Sequence, residues 1–301
     1  MILNAITWNV DPVMFHIGSF GLRWYSMGFL LAFVLGYYIL SYIFKQEKVR
    51  AEYLDILVVY MFLAVLIGAR LGHCLFYDFD YFFTAEHWTE IFWPFHNGQF
   101  TGFSGLASHG AAIAIFIALW LYWRKYKLNA WWICDRLAIV VALAGVFIRT
   151  GNLFNSEIYG IETDLPWGFI FVREGETVPK HPTGLYEALA YLIIALVSLW
   201  YYRRKKGQFK TGTIFGWWLV ALFGARFLIE FLKTNGVIEG FPLLKGQLLS
   251  LPLIIGGLII IWLARKEKFP QGPFPHGEVK AINDRWDEKA AKDSKNKKKG
   301  K

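Results

Sequence analysis

The chain has 301 residues, of which 55% are hydrophobic and 19% aromatic, and its mean hydropathy is +0.36. A soluble domain lacks repeated apolar runs near 20 residues, whereas this chain has several, so a soluble globular protein is excluded. The runs do not alternate with a period of two residues, which excludes a membrane β-barrel. The fold class predicted is therefore all-α, a polytopic integral membrane protein whose formal charge of +9 is unevenly placed.

Seven apolar segments follow one another and predict about seven transmembrane helices. They cover about residues 20–44, 54–76, 107–123, 131–150, 184–202, 212–232 and 247–264. The third, at about 17 residues, is the shortest. The first 19 residues contain no Lys or Arg and no small-residue cleavage pattern, so no cleavable signal peptide is expected.

The connecting loops divide by charge, which predicts the orientation. The loops after the first, third, fifth and seventh segments are rich in Lys and Arg, and the other loops are poor in them. By the positive-inside rule the N-terminus lies outside and the C-terminus lies in the cytoplasm.

The C-terminal residues 265–301 contain twelve Lys and Arg residues against six Asp and Glu residues. This composition predicts a basic, disordered cytoplasmic tail over 266–301, next to a transmembrane domain over 1–265. Nucleic-acid binding is an alternative for such a tail. We adopt the interpretation of a solvated tail close to the membrane, with no nucleic-acid partner.

Polar side chains gather at the predicted outer ends of the helices. The densest group follows the fourth segment and reads Arg149-Thr150-Gly151-Asn152-Leu153-Phe154-Asn155-Ser156-Glu157. An arginine at that depth is costly against lipid, so it should face a protein interior or a wet cavity. The other segments contribute Arg23, Tyr25, Arg70, His73, His109, Tyr186, Glu187, Arg226, Glu230 and Gln247.

Three arginines are candidates for binding an anion: Arg70, Arg149 and Arg226. Each guanidinium is suited to bidentate capture of a phosphate or carboxylate. The alternative is a buried ion-pair network in which Glu157, Glu187 and Glu230 neutralise them. Three such cations together favour an anionic lipid headgroup that arrives from the bilayer.

His109 and Tyr25 are weaker candidates. A lone histidine at a helix end is most often an interfacial hydrogen-bonding residue, and Tyr25 would by default belong to an aromatic belt. No serine has a recognisable nucleophile setting, and both Cys74 and Cys134 lie in apolar runs. If the protein is an enzyme, its nucleophile therefore comes from a substrate. No metal-ligand set is present, so no cofactor is expected.

At these residues the sequence resembles the prolipoprotein diacylglyceryl transferase family, over about residues 15–265. The signature is Arg149-x-Gly151-Asn152-x-x-Asn155-x-Glu157-x-x-Gly160. Supporting blocks, in matching order, are Leu22-Arg23-Trp24-Tyr25, Gly68-Ala69-Arg70-Leu71-Gly72, Ser108-His109-Gly110, His181-Pro182-Thr183-Gly184-Leu185-Tyr186-Glu187, Arg226-Phe227-Leu228-Ile229-Glu230 and Gly246-Gln247-Leu248-Leu249-Ser250. The chain departs from the common pattern at Ile148, Thr150 and Ala111, and no charged position is lost.

The resemblance implies a transferase that begins bacterial lipoprotein maturation. A diacylglyceryl group would pass from phosphatidylglycerol to the thiol of the lipobox cysteine of a preprolipoprotein, giving a thioether and glycerol phosphate. It also implies a multi-pass protein of the bacterial inner membrane, with its active site toward the periplasmic leaflet. Its partners would be phosphatidylglycerol, the lipobox peptide and membrane lipids.

On this hypothesis the catalytic residues are Tyr25, His109, Arg149 and Arg226. The substrate-binding residues are Arg70, Arg149, Asn152, Asn155, Glu157, Gly160, Glu187 and Glu230. Arg149 and Arg226 would clamp the phosphate, while His109 would either accept the thiol proton or hold the glycerol hydroxyl. The alternative function is a transporter or flippase for an anionic lipid or solute, although we find no inverted repeat and the polarity is one-sided.

Overall fold

The computed structural model describes residues 5–18, 20–84, 87–93, 95–96, 99–100, 105, 107–234 and 242–299. Within these ranges the helices are α1 (Trp24–Gln46), α2 (Ala51–Phe76), α3 (Phe79–Phe82), α4 (Ser108–Tyr126), α5 (Ala130–Phe154), α6 (Thr183–Lys205), α7 (Thr213–Glu230), α8 (Lys245–Arg265) and α9 (Lys280–Lys299). The short strands are β1 (Ile6–Trp8), β2 (Val13–Ile17), β3 (Phe20–Arg23), β4 (Phe95–His96), β5 (Gln99–Phe100) and β6 (Phe169–Phe171). Two 3-10 helices cover Trp88–Ile91 and Val172–Glu174.

Six helices in the described part of the chain are long and apolar enough to cross a membrane: α1, α2, α5, α6, α7 and α8. They coincide with six of the seven predicted segments, so the all-α polytopic class is confirmed. The third predicted segment forms α4, whose 19 residues extend about 28 Å. Because α4 has only 19 residues, any stretch of it long enough to cross a membrane includes His109, Arg124 and Lys125, so a seventh membrane span stays a prediction, as does the orientation.

The chain forms two compact units, which are described separately. The larger unit comprises Met1–Lys48 and Cys134–Phe269, and the smaller unit comprises Val49–Ile133 and Pro270–Lys301.

Helices of the larger unit approach one another through small residues. A Cβ atom at Gly216 of α7 would lie 3.1 Å from the Gly257 carbonyl oxygen of α8, so the two backbones are in contact. A Cβ atom at Gly28 of α1 would lie 3.2 Å from the Phe147 carbonyl oxygen of α5. Such close approach is typical of membrane helices, whose association depends on packing because lipid is as apolar as the helix surface.

Short strands fix the far end of α5. Strand β1 pairs in parallel with β6, and β2 forms an antiparallel hairpin with β3. From β1, the Trp8 indole Nε1 donates a hydrogen bond to the Leu153 carbonyl oxygen (3.0 Å) in the last turn of α5. Leu153 also packs with Phe169 and Phe171 of β6. The end of α5 is therefore anchored, and this is where the signature residues lie.

Buried charged groups near the start of α5 have polar partners. The buried Asp135 carboxylate accepts hydrogen bonds from the backbone N–H groups of Gly212 (2.7 Å) and Phe215 (2.9 Å), at the start of α7. The Arg136 guanidinium binds both carboxylate oxygens of Glu47, at 2.6–3.0 Å. These partners explain charged residues near the predicted inner surface without a functional role.

The smaller unit is built on the α2–α4 pair. A Cβ atom at Gly72 would lie 2.6 Å from the Gly110 Cα atom, and one at Gly68 would lie 2.7 Å from the Gly110 carbonyl oxygen. The spacing of Gly68 and Gly72 is the small-xxx-small pattern that lets membrane helices touch.

The basic tail contains a helix, so the prediction of disorder is wrong for the described residues of α9. The Trp286 ring packs edge-on against Tyr53 at 4.8 Å between centroids, and the Arg50 guanidinium lies over it at 5.4 Å. Arg50 also pairs with Asp287 at 3.0 Å. Ile282 is buried one turn before Trp286, so α9 has an apolar edge that overall composition did not reveal. The predicted boundary at residue 265 stays a prediction.

Candidate functional site

In the larger unit, the ends of several helices meet at one cluster of polar side chains. A Cβ atom at Gly151 would lie 2.6 Å from the Tyr25 ring, which brings the end of α5 against the start of α1. Arg149 of α5 pairs with Glu187 of α6, and Glu187 in turn pairs with Lys233, just after α7. We call Tyr25, Arg149, Glu187, Lys233 and the polar side chains next to them the polar cluster.

Buried ion pairs form the base of the polar cluster. The Glu187 carboxylate is fully buried and receives Arg149 Nε at 2.8 Å on one oxygen and Lys233 Nζ at 2.8 Å on the other. Lys233 Nζ also lies 3.2 Å from a carboxylate oxygen of Glu230. Two cations thus meet two carboxylates, and the pairs balance in charge. Arg149 therefore has a carboxylate partner, as the alternative of a buried ion-pair network predicts.

The signature spacing is explained by a turn at the end of α5. Asn152 Nδ2 donates to one carboxylate oxygen of Glu157 (2.9 Å) and Asn155 Nδ2 donates to the other (3.1 Å). The Glu157 backbone N–H donates a hydrogen bond to the Asn152 carbonyl oxygen (2.8 Å). Arg149 Nη1 reaches Asn152 Oδ1 at 3.5 Å. Both carboxamides therefore position Glu157, and Asn152 links it to Arg149.

This turn uses an uncommon backbone conformation. Ser156 and Ile158 both have φ of +57°, the left-handed region that side chains other than glycine rarely adopt. Each such residue costs about 1–3 kcal/mol and persists only when its surroundings enforce it. Here the Thr183 hydroxyl donates a hydrogen bond to the Ile158 carbonyl oxygen (2.5 Å), in addition to the bonds that hold Glu157.

Gly160 is required by close backbone contacts. Its N–H donates to the His181 carbonyl oxygen (2.8 Å), and it forms an antiparallel bridge with Lys233. A Cβ atom there would lie 2.8 Å from the Thr183 methyl group and would also contact the Leu232 carbonyl oxygen. The structure thus gives Gly160 a part in placing Lys233.

Arg226 differs from the other cations of the larger unit. It lies on α7 one turn before Glu230, is partly buried, and within the described part of the chain its guanidinium makes no hydrogen bond or ion pair. The Tyr191 hydroxyl lies within electrostatic range of Arg226, Arg149 and Glu187 together, so the two arginines share one neighbourhood. Since the guanidinium has five N–H donors, Arg226 can bind an anion without giving up a partner in the described residues.

Tyr25 borders the same neighbourhood. It lies in the first turn of α1, is partly buried, and is within electrostatic range of both Glu157 and Arg149. Its ring contacts the backbone of Gly151, where any larger residue would displace it. The hydroxyl of Tyr25 is therefore placed beside the signature residues.

The start of α8 closes around Glu230. A Cβ atom at Gly246 would collide with the Glu230 carboxylate, so this residue must be small. Gln247 accepts a hydrogen bond from the Leu244 N–H (3.0 Å) and donates one to the Phe227 carbonyl oxygen (3.3 Å). The Gly246-Gln247 block thereby joins the beginning of α8 to the end of α7.

A hydrogen-bonded group lies just before and within the first turn of α6. Trp167 Nε1 donates to the Tyr186 hydroxyl oxygen (3.0 Å), so that hydroxyl can donate to His181 Nδ1 at 3.1 Å. Burial lowers the pKa of His181, which agrees with a neutral ring whose Nδ1 is an acceptor. These contacts give His181 and Tyr186 structural partners.

In the smaller unit, Arg70 binds backbone rather than leaving its donors available. Its Nε donates to the Ile91 carbonyl oxygen (2.9 Å) and its Nη2 to the Glu90 carbonyl oxygen (2.8 Å), while its guanidinium lies 4.6 Å from the centre of the Phe82 ring. The residue is 5% exposed. The contacts shown by Arg70 fasten the segment that follows α2, and its predicted contact with substrate is not among them.

Two histidines of the smaller unit have different surroundings. His109 lies in the first turn of α4 and is exposed, so its predicted part in catalysis stays a prediction. His73 Nε2 pairs with Asp78 at 2.8 Å, and Gly105 lies directly against the His73 ring.

Sequence reasoning missed Lys233 and Tyr191 as members of the polar cluster. Lys233 lies one residue beyond the predicted segment 212–232, although its position three residues after Glu230 puts it within reach of that carboxylate. Tyr191 follows Glu187 by four residues on α6, so the two share a helix face, but the many aromatic residues of the chain hid it. Within the described residues, no group of three or more His, Cys, Asp or Glu residues could hold a metal ion.

Comparison with known proteins identifies the relatives of this chain. A family model described as prolipoprotein diacylglyceryl transferase matches residues 12–263. Three relatives carry the name phosphatidylglycerol–prolipoprotein diacylglyceryl transferase. The Bacteroides fragilis protein is 38% identical over 274 residues, covering 89% of this chain and 98% of the relative. The Tolumonas auensis protein is 40% identical, covering 87% and 98%, and the Chloroherpeton thalassium protein is 40% identical, covering 88% and 96%.

Proposed function

The chain belongs to the prolipoprotein diacylglyceryl transferase family, and on that premise we propose that the polar cluster of the larger unit is where the transfer takes place. The protein is a membrane transferase of lipoprotein biosynthesis that moves the diacylglyceryl group of phosphatidylglycerol to a prolipoprotein. The acceptor atom is the thiol of a lipobox cysteine. The sulfur bonds to the terminal glyceryl carbon of the donor as the bond between that carbon and the phosphate oxygen breaks, and glycerol phosphate leaves.

The leaving group makes particular demands on the protein. The phosphodiester carries one negative charge, and the departing monoester moves toward about two. Groups that meet the additional charge stabilise the transition state more than the ground state, which is what accelerates the step. Arg226 is suited to this role because it has no anionic partner among the described residues.

Arg149 has a different part in the proposal. Its Nε is held by Glu187 and its Nη1 approaches Asn152, which leaves other N–H groups of the guanidinium for a second phosphate oxygen. Being held on two sides keeps that guanidinium in one orientation, so less side-chain entropy is lost when the lipid binds. Tyr25 donates a hydrogen bond to the donor lipid beside it.

The thiol must also lose its proton, because the thiolate is the nucleophile. His109 either accepts this proton or holds the glycerol hydroxyl of the donor. The His109→Gln variant separates these roles: loss of a proton acceptor changes the pH dependence of kcat, whereas loss of a lipid contact raises the KM for phosphatidylglycerol with the pH profile retained.

We place the protein in the bacterial inner membrane, with the polar cluster near the outer leaflet. The support is the charge of the loops: the helix ends that form the cluster adjoin the loops poor in Lys and Arg. Both substrates would then reach the cluster from the bilayer, since the acceptor cysteine follows the apolar segment of a signal peptide.

The observation that carries the site assignment is that Arg226 has no ion pair within the described residues, although it lies beside a balanced ion-pair network. It is tested with purified protein, labelled phosphatidylglycerol and a lipobox peptide. We expect thioether product from the wild-type protein and a loss of about 100- to 1,000-fold in kcat for Arg226→Gln, with an unchanged melting temperature. Near-normal kcat in that variant would remove Arg226 from the mechanism. Movement of lipid across liposomes without thioether would instead favour the transporter alternative.

A further inference from the structure

Tyr191 is a buried polar residue beside the polar cluster to which the steps above give no role. It lies on α6 one turn after Glu187, and it is 4% exposed. Its ring packs against α5, where a Cβ atom at Gly145 would lie 2.8 Å from a ring carbon. Gly145 precedes Arg149 by four residues, so it lies about one turn before that arginine. The contact of Tyr191 with Gly145 is therefore adjacent to the pair of Arg149 and Glu187 in the α5–α6 interface.

The direction of the Tyr191 side chain places its hydroxyl among the charged groups. Side chains on an α-helix point back toward the helix N-terminus, and for Tyr191 this is the direction of Glu187. The hydroxyl accordingly lies within electrostatic range of Glu187, Arg149 and Arg226, and within hydrogen-bonding reach of the Arg149 guanidinium. It is therefore next to both arginines that we propose as the phosphate site.

The hydroxyl proton of Tyr191 is available to a ligand. Glu187 presents one carboxylate oxygen to Arg149 and the other to Lys233, and neither takes a hydrogen bond from Tyr191. The arginines have only donors, so they can bind the oxygen of the hydroxyl but cannot accept its proton. Within the described residues the proton thus has no acceptor, although most buried polar groups are hydrogen-bonded. An anion held by the two arginines would supply that acceptor.

We propose that the Tyr191 hydroxyl donates a hydrogen bond to the phosphate of the donor lipid and is a third donor group beside Arg149 and Arg226. A hydrogen bond to an anion becomes stronger as the acceptor gains negative charge, which happens when glycerol phosphate leaves. Tyr191 therefore stabilises the transition state more than the ground state. The proposal rests on the proposed function, because it requires the phosphate to lie at the two arginines.

The substitution Tyr191→Phe tests the proposal because it removes the hydroxyl and keeps the ring that packs against Gly145. One preorganised donor to a developing negative charge contributes about 100- to 1,000-fold at most, so we expect a fall of about 10- to 100-fold in kcat for this neutral donor. The inhibition constant of added glycerol phosphate should rise about 10-fold, as expected for a lost hydrogen bond to a charged group. The KM for the lipobox peptide and the melting temperature should not change, whereas a merely structural effect would alter them.

The matched control is Tyr202→Phe, the same substitution on the same helix. Tyr202 is fully buried, and its hydroxyl donates a hydrogen bond to the Ile43 carbonyl oxygen (3.5 Å), three turns away from Tyr191 along α6. Because this hydroxyl is remote from the two arginines, kcat and the inhibition constant of glycerol phosphate should be those of the wild-type protein.

A double variant distinguishes a contact with the phosphate from support of Arg149. If Tyr191 contacts the phosphate itself, Tyr191→Phe should lower kcat by a similar factor in the wild-type protein and in an Arg149→Lys background. If the hydroxyl only orients the Arg149 guanidinium, the factor should fall to about one in the Arg149→Lys background. The second result would overturn the proposed contact.

The remaining outcomes separate this proposal from the proposed function. A wild-type kcat in Tyr191→Phe, or an equal loss in Tyr202→Phe, would overturn the role of Tyr191 and leave the phosphate site standing, provided that Arg226→Gln lowers kcat as expected. Near-normal kcat in Arg226→Gln would remove the phosphate site itself, and the contact with Tyr191 would fail with it.

Discussion

Replacing Lys233 with Met removes the cation that lies between two buried carboxylates of the polar cluster. Glu187 keeps Arg149 at 2.8 Å, but Glu230 loses the cation that pairs with it in the described residues. Removing one partner of a buried ion pair typically costs 3–5 kcal/mol, because the other charge stays buried and uncompensated. The Lys233 side chain is 7% exposed, so we expect a loss of about 3–5 kcal/mol.

The double variant Lys233→Met with Glu230→Gln tests the reason for that loss. If Lys233 is needed to neutralise Glu230, removing the stranded charge should restore about 1–3 kcal/mol of the free energy of unfolding. Lys210→Met is the matched control, since Lys210 pairs at 3.0 Å with Glu267 and the two side chains are 49% and 61% exposed. A pair of that kind contributes about 0–1 kcal/mol.

The assay is thermal unfolding in detergent micelles, followed by tryptophan fluorescence. At about 2–4 °C for each kcal/mol, Lys233→Met should melt about 6–20 °C below the wild-type protein, with the double variant between them. A double variant that melts at or below the temperature of Lys233→Met would refute the neutralising role. A comparable drop in Lys210→Met would show that the effect is not specific to buried charge.

Three further outcomes follow from individual contacts. Gly160→Ala forces a methyl group against the Leu232 carbonyl oxygen, so we expect a loss of about 1–3 kcal/mol in unfolding experiments, with transferase activity falling alongside it. Arg70→Lys cannot serve both backbone carbonyls that the guanidinium binds, and hydrogen–deuterium exchange should become faster over residues 87–93, whereas retained protection would contradict the fastening role. Trp286→Ala removes the ring that packs against Tyr53, so limited proteolysis should cut residues 270–293 sooner while thioether formation continues; an unchanged cleavage pattern would show that α9 does not depend on that ring.

The helices could be predicted from the sequence because their main determinant is local. A run of about 20 apolar residues is the main signal for a membrane helix, and the six confirmed helices begin and end within a few residues of the predicted limits. The end of α5 is instructive. The length of the apolar segment predicts that α5 ends near residue 150, whereas in the structure it continues to Phe154. The additional turn is stabilised because the Trp8 indole donates a hydrogen bond to the Leu153 carbonyl oxygen.

The helix in the tail could not be predicted from composition, since composition discards position. Residues 265–301 are strongly basic, but Ile282 and Trp286 stand four residues apart and therefore share a helix face. Their packing partners, including Tyr53, are more than 200 positions away along the chain. Contacts of that range depend on the tertiary fold, which propensity and charge do not encode.

The three arginines show most clearly what the sequence leaves open, because all three have the same chemistry and all three are predicted to lie toward the outer ends of their helices. The structure distinguishes them by partner: Arg70 binds backbone carbonyl oxygens, Arg149 binds Glu187, and Arg226 has no ion pair within the described part of the chain. A guanidinium already paired with a carboxylate has been desolvated at a cost that its partner offsets, so it gains less from a new anion than an unpaired one does. The transition-state charge of the leaving phosphate should therefore depend most on Arg226. Arg149 contributes orientation, and the contacts that Arg70 makes with backbone carbonyl oxygens predict that it acts through the segment that it holds. The order of the losses in kcat for three Arg→Gln variants should follow that ranking, and an Arg70→Gln loss as large as that of Arg226→Gln would contradict it.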